Sequence, residues 1–271
     1  MNIEEIIRKE YANLEETDKD NLLFKRTVVV ETLSHAFTNW ITTIKDTRGE
    51  ENNSVNTYLV YLLAYDNFLN QSLVYTKEDI ASFSIFAPQL KSEKVDKIFE
   101  TFSTAIGLFF SALINFHYKQ TNGLENKKED TEKLKTQKEN AEKNNKKEEK
   151  NKDKTQDTKD TKKNKNKDLK DNEPYRLYTE HFLREDVPDY IGFYNETNII
   201  VYGSVGNMTA YCMQKGTLKI LGDCETSTAV MMKEGELHIE GNIGECLRRP
   251  KEGLDVQIYH KGKLLFQKEE K

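Results

Sequence analysis

Three consecutive lines decide the fold: NIIVYGSVGNMTAYCMQKG (198–216), TLKILGDCETSTAVMMKEG (217–235) and ELHIEGNIGECLRRPKEG (236–253), followed by LDVQIYHKGKLLF (254–266). Gly203, Gly222 and Gly241 recur every 19 residues, as do Gly216 and Gly235. A fixed period near 20 with a strand-like run in each copy marks a solenoid, whose repeats bury apolar surface only against their neighbours. Side chains alternate along a strand. Two ladders therefore point inward, Ile199/Leu218/Leu237/Val256 and Val201/Ile220/Ile239/Ile258, while Ile200, Lys219, His238 and Gln257 between them point outward. The repeated glycines follow the strands, where the chain turns and positive φ is expected. This register predicts a short parallel β-helix with coils of about 19 residues. A one-residue shortening near 250–253 is expected to fall at a corner, the last strand keeping the 19-residue register. The closing line reads as a hairpin that folds over the last coil. Residues 175–194 supply aromatic side chains but show no copy of the repeat.

The motif Gly203-Ser-Val-Gly206-Asn-Met, continuing to Lys215-Gly216, with Glu240-Gly-Asn-Ile-Gly244, resembles the GXGXG repeat family. That family contains the C-terminal domain of the large subunit of glutamate synthase and one of the subunits of formylmethanofuran dehydrogenase. Met213 and Met232 match its Met position, and Lys215-Gly216 and Glu234-Gly235 its K-G-G position. The second copy departs at Asp223-Cys-Glu-Thr and the third at Arg248-Arg249-Pro250. The resemblance covers about residues 198–266. It implies a right-handed β-helix acting as a structural or interdomain platform, without catalytic residues to carry over.

Upstream, composition changes twice. Residues 119–173 hold 18 Lys against 14 Asp plus Glu and four apolar side chains, Leu124, Leu134, Ala141 and Leu169. Such a segment buries too little apolar surface to offset chain entropy and reads as a disordered linker. Residues 1–118 read as a five-helix bundle. A short stripe lies at Ile3, Ile6, Ile7, Tyr11 and Leu14. A longer one follows at Leu22, Val29, Leu33, Phe37, Trp40 and Ile44. A third, with Asn53 or Ser54 as cap, holds Tyr58, Leu62, Tyr65, Leu69 and Leu73. Thr76-Lys-Glu-Asp79 is a capping box before a short helix ending ahead of Pro88. A long helix then starts at Ser92, with Ser103, Thr104, Ser111 and Asn115 on one flank. Its stretch 101–118 carries no formal charge; a buried core helix is the expectation and a membrane helix the weaker alternative. The domains expected are thus a bundle over 1–118, a linker over 119–173 and a β-helix with a capping segment over 174–271.

Formal charge is −5, so no global basic character suggests nucleic acid or an anionic membrane. The opening MNIEEIIRKEY lacks the basic and apolar regions of a signal peptide. Three cysteines without CxxC do not make a disulfide framework, and a cytoplasmic setting is expected. Cys212, Cys224 and Cys246 fall in different stacks of the repeat and His238 points outward, so they read as core fillers rather than a zinc site. No catalytic constellation has local support, and no cofactor is expected. The expected function is a non-enzymatic scaffold or assembly protein, with a non-catalytic subunit of an enzyme complex as alternative. The expected interaction surface, for a protein partner or a second copy, is the first visible coil and the segment before it: Ile200, Tyr202, Tyr190, Phe193 and Tyr194.

Overall fold

Six short strands follow one another into a single sheet: β1 (Tyr175–Tyr178), β2 (Ile199–Tyr202), β3 (Thr217–Ile220), β4 (Glu234–Ile239), β5 (Asp255–His260) and β6 (Lys263–Phe266). The first five pair in parallel and make the β-face of a solenoid. The computed structural model describes residues 16–48, 56–70, 72–92, 95, 98–99, 101–122, 173–245, 247 and 254–266. The stripe at 3–14, the caps Asn53 and Ser54, Cys246, nearly all of the charged segment and the corner 248–253 lie outside those residues, as do the side chains of Leu22 and Leu69.

Ile199 pairs with Leu218 and Leu218 with Leu237, and both inward ladders are buried. Three expectations need correction. Residues 175–194 do contain a coil: Tyr175 pairs with Ile199, but the interval is 24 residues, and the extra length hides the copy from a 19-residue period. At the other end Leu237 pairs with Ile258 rather than Val256, because that coil is 21 residues long. A shift of two preserves the alternation, so Val256 and Ile258 both stay buried; Tyr259, not Gln257, lies beside His238. The closing hairpin turns at Lys261 and Gly262, both with positive φ, and extends the sheet instead of folding over the last coil. Along it β6 advances from Leu264 to Phe266 while β5 moves only from Tyr259 to Ile258. That bulge kinks the outer strand and blunts a free edge.

Corners follow their own rule. Gly203, Gly216 and Gly235 have φ of 125°, 89° and 101°, and a methyl on Gly222 or Gly241 would meet the glycine one coil earlier. A second run alternates left-handed residues: Tyr190/Gly192/Tyr194, Met208/Ala210/Cys212 and Ser227/Ala229/Met231. Adjacent runs are tied by backbone bonds such as Ala210 N to Ile191 O and Ala229 N to Thr209 O. Non-glycine residues at positive φ cost roughly 1 kcal/mol or more each, so coil stacking must hold them there.

Among the described residues the N-terminal part holds four continuous α-helices: α1 (Glu16–Arg48), α2 (Thr57–Asn70), α3 (Lys77–Phe86) and α4 over 102–122. Leu33, Phe37, Trp40 and Ile44 of α1 are buried, joined by Val30 while Val29 is only half-buried. On α2 the buried face is Val60, Tyr61, Ala64 and Phe68, whereas Tyr58 and Leu62 are 46% and 37% exposed. Trp40 Nε1 donates to the Val60 carbonyl at 3.1 Å, which rotates α2 off the expected stripe. Asn56 Oδ1 caps α2 by accepting from Tyr58 N and Leu59 N. The capping box at Thr76 and Asp79 is present. The long helix expected from Ser92 is interrupted at Thr101, whose hydroxyl accepts from Thr104 N at 3.3 Å and opens α4.

Met1–His117 and Pro174–Lys271 form one compact unit, and Tyr118–Glu173 another. Helices and solenoid share a core in the first. Phe109 sits among Phe37, Trp40, Phe68 and Phe83, and Phe102 and Phe110 of the same helix meet Phe182 of the first coil. Packing on both sides explains the absence of charge from 102–116. No helix among the described residues is long and apolar enough to cross a membrane.

Candidate functional site

The structure sends the five expected surface residues to two places. Phe193 is buried, in an edge contact with Tyr61 of α2 at 5.1 Å. Tyr194 lies against Tyr58 at 5.2 Å and Tyr190 against Tyr211 at 6.0 Å. These three are held at the junction with the protein's own helices. Ile200 and Tyr202 stand on the outer face of the sheet, half-buried. There Tyr202 stacks on Tyr178, with centroids 4.9 Å apart and planes 15° apart, and Leu221, 40% exposed, follows β3. The strand register fixes this alignment, since Tyr178 pairs with Tyr202 and Ile200 with Lys219. Farther along, His238 stacks on Tyr259 at 4.4 Å and pairs with Glu236 at 2.9 Å, and Lys219 reaches Glu240 at 3.4 Å. The outer face thus runs from an aromatic, apolar end to a charged one.

The junction was only half legible from sequence. Ser103, Thr104, Ser111 and Asn115 all serve it. Ser111 Oγ donates to the Tyr190 carbonyl at 2.8 Å and accepts from Gly192 N and Phe193 N. Asn115 Nδ2 donates to the Phe193 carbonyl and to the Tyr61 hydroxyl, both at 2.9 Å. Thr104 donates to the Asp189 carboxylate at 3.0 Å, Asn207 N donates to it at 2.7 Å, and Ser103 donates to the Glu185 carbonyl at 3.1 Å. Burial pushes the Asp189 carboxyl above its ordinary range, against the hydrogen bonds from Asn207 and Thr104. Burial likewise pushes the Tyr61 hydroxyl up to about 12. Asp189 and Gly107 carried no signal in the sequence, because what makes them matter is a partner about eighty residues away in the chain.

A groove of about 780 Å³ lies where the strands hand over to the glycine corners. One wall is the extra length of the first coil, with Phe182 and Arg184; the other carries Asp223, Asn242, Glu225 and Glu245. Its corner is stitched by side chains one coil apart, Asp223 N donating to Ser204 Oγ and Asn242 N to Asp223 Oδ1. No sequence signal pointed to this groove, because the coil that forms its first wall has no 19-residue copy. Cys224 is buried in the stack Val205–Cys224–Ile243 and its thiol is pushed up by burial, which suits a core filler. Among the described residues no group of His, Cys, Asp or Glu is arranged to hold a metal ion. Compared with protein-family models, curated proteins and solved structures, the chain matches none.

Proposed function

We propose that the chain is a non-enzymatic scaffold whose outer sheet face, centred on Ile200, Tyr202 and Tyr178, binds a protein partner. The observation that carries this reading is the Tyr178–Tyr202 stack on the outer face of the sheet, beside half-buried Ile200 and the 40% exposed Leu221. Tyrosines rich in contact area and low in entropy cost favour protein interfaces. A right-handed GXGXG-type β-helix fits as the platform, with Met213 and Met232 fully buried at matching places and glycines at the strand ends. The free thiols Cys212 and Cys224 suit a reducing, cytoplasmic setting. In the second reading the platform supports a catalytic partner as a non-catalytic subunit, and a stoichiometric redox or amidotransferase enzyme would then copurify. The test is affinity purification of wild type and of Ile200→Lys/Tyr202→Glu in the full chain. The double change is expected to lose the bound protein while keeping the circular dichroism of wild type. Recovery of the same partners in the same amount would sink the assignment of this face.

A further inference from the structure

The chain leaves the helix–solenoid unit after His117 and returns to it at Pro174. These two places are neighbours: His117 Nδ1 lies 2.7 Å from the Tyr175 hydroxyl, and the two rings meet edge to face at 5.6 Å. The 56 residues between them therefore begin and end at neighbouring points of that unit. On either side of those points the two parts fit closely. Ser103, Gly107, Ser111 and Asn115 recur every four residues and so share one face of α4. Gly107 lets the Asp189 backbone approach so closely that any side chain there would overlap its carbonyl. Ser111 and Asn115 satisfy the backbone of 190–193. Nearby, Ser84 of α3 accepts from Tyr178 N at 2.9 Å, and Lys91 pairs with Asp186 at 2.7 Å.

The geometry points to the first coil of the solenoid as an interaction surface in its own right, whose partner is the small, polar face of α4 with the end of α3. We infer that this association does not need the covalent connection, so that a chain cut between 123 and 172 remains one particle. A solenoid needs its open end covered, and here the cover is non-covalent in kind: paired backbone groups, buried hydroxyls and interleaved rings, of the sort that hold two protein chains together. The inference is independent of the partner proposed for the outer face. It gives the helices a definite role as the cap of the solenoid.

The experiment places a site for a sequence-specific protease near residue 145 of the full chain, cuts it to completion and measures sedimentation without denaturant. Both fragments are expected in one species with the mass of the uncut protein, persisting on dilution to about micromolar concentration. Two separate species at that concentration would overturn the inference. In the cut protein Gly107→Leu is expected to release the fragments. Should that variant fail to fold before cutting, Ser111→Ala is used instead, with an expected weakening of about tenfold or more from the backbone groups left unpaired. Cut Ser111→Ala protein holding together as tightly as cut wild type would show that the α4 face is not the contact.

Discussion

Ile220 and Lys219 are neighbours in the chain and opposites in the fold: one is fully buried between coils, the other stands on the outer face beside Glu240. Ile220→Asp places a carboxylate where no partner exists and should cost roughly 3–5 kcal/mol. Lys219→Asp removes only an exposed pair and should cost about 0.5 kcal/mol or less. Urea midpoints of the two variants check the register, and equal losses would contradict it. His117 offers a pH test at the same scale. Burial, and then the Lys77 ammonium, hold its imidazole below the ordinary histidine value. An unfolded histidine takes up a proton near pH 6.5. Below that the unfolded chain binds a proton that the folded chain refuses, so stability is full at neutral pH and is lost as pH falls toward the folded-state value. The wild type should therefore lose up to about 1 kcal/mol more than His117→Gln between about pH 7.5 and about pH 5.5. Parallel stability–pH curves for the two proteins would remove His117 as the cause.

Among the elements, α3 starts from a capping box in which the Thr76 hydroxyl accepts from Asp79 N at 3.2 Å and Asp79 accepts from Thr76 N at 2.9 Å. Thr76→Ala should cost about 1 kcal/mol, read from the denaturation midpoint. This element was legible because a capping box needs only residues three apart. Legible too were the coils from β2 to β4, where an unbroken 19-residue period repeats the inward positions. β1 was not, since periodicity is visible only between copies of equal length and its coil is longer. The break at Thr101 was missed for a related reason: the apolar stripe runs through it, and the start of α4 is set by the Thr101 hydroxyl cap and by the first coil, whose Glu185 carbonyl accepts from Ser103. Tyr58 and Leu62 of α2 carry a helical spacing that satisfies the pattern, yet Trp40 selects the face one residue away.

For the molecule as a whole, the shared core predicts that helices and solenoid unfold together. Trp40 is the sole tryptophan and lies in the helical core, so its fluorescence reports on the helices. Ile220→Asp, far away in the solenoid, should lower the urea midpoint that Trp40 reports by about the same amount as the midpoint from circular dichroism. An unchanged Trp40 midpoint would mean two independently stable parts. By itself the sequence determined that α1, α2 and α3 are helical, that β2 to β5 stack in parallel and which side chains of those strands face inward. Those features follow from alternation, period and local capping, all written within a few residues or one repeat. Tertiary structure alone decided that His117 and Tyr175, at the two ends of the charged segment, meet, that Phe193 and Tyr194 pack on α2 while the Tyr190 carbonyl accepts from Ser111 of α4, and that Ile200 and Tyr202 lie half-buried on the outer face of the sheet. Such outcomes depend on which apolar surface finds which partner across more than fifty intervening residues, and no local pattern records that choice.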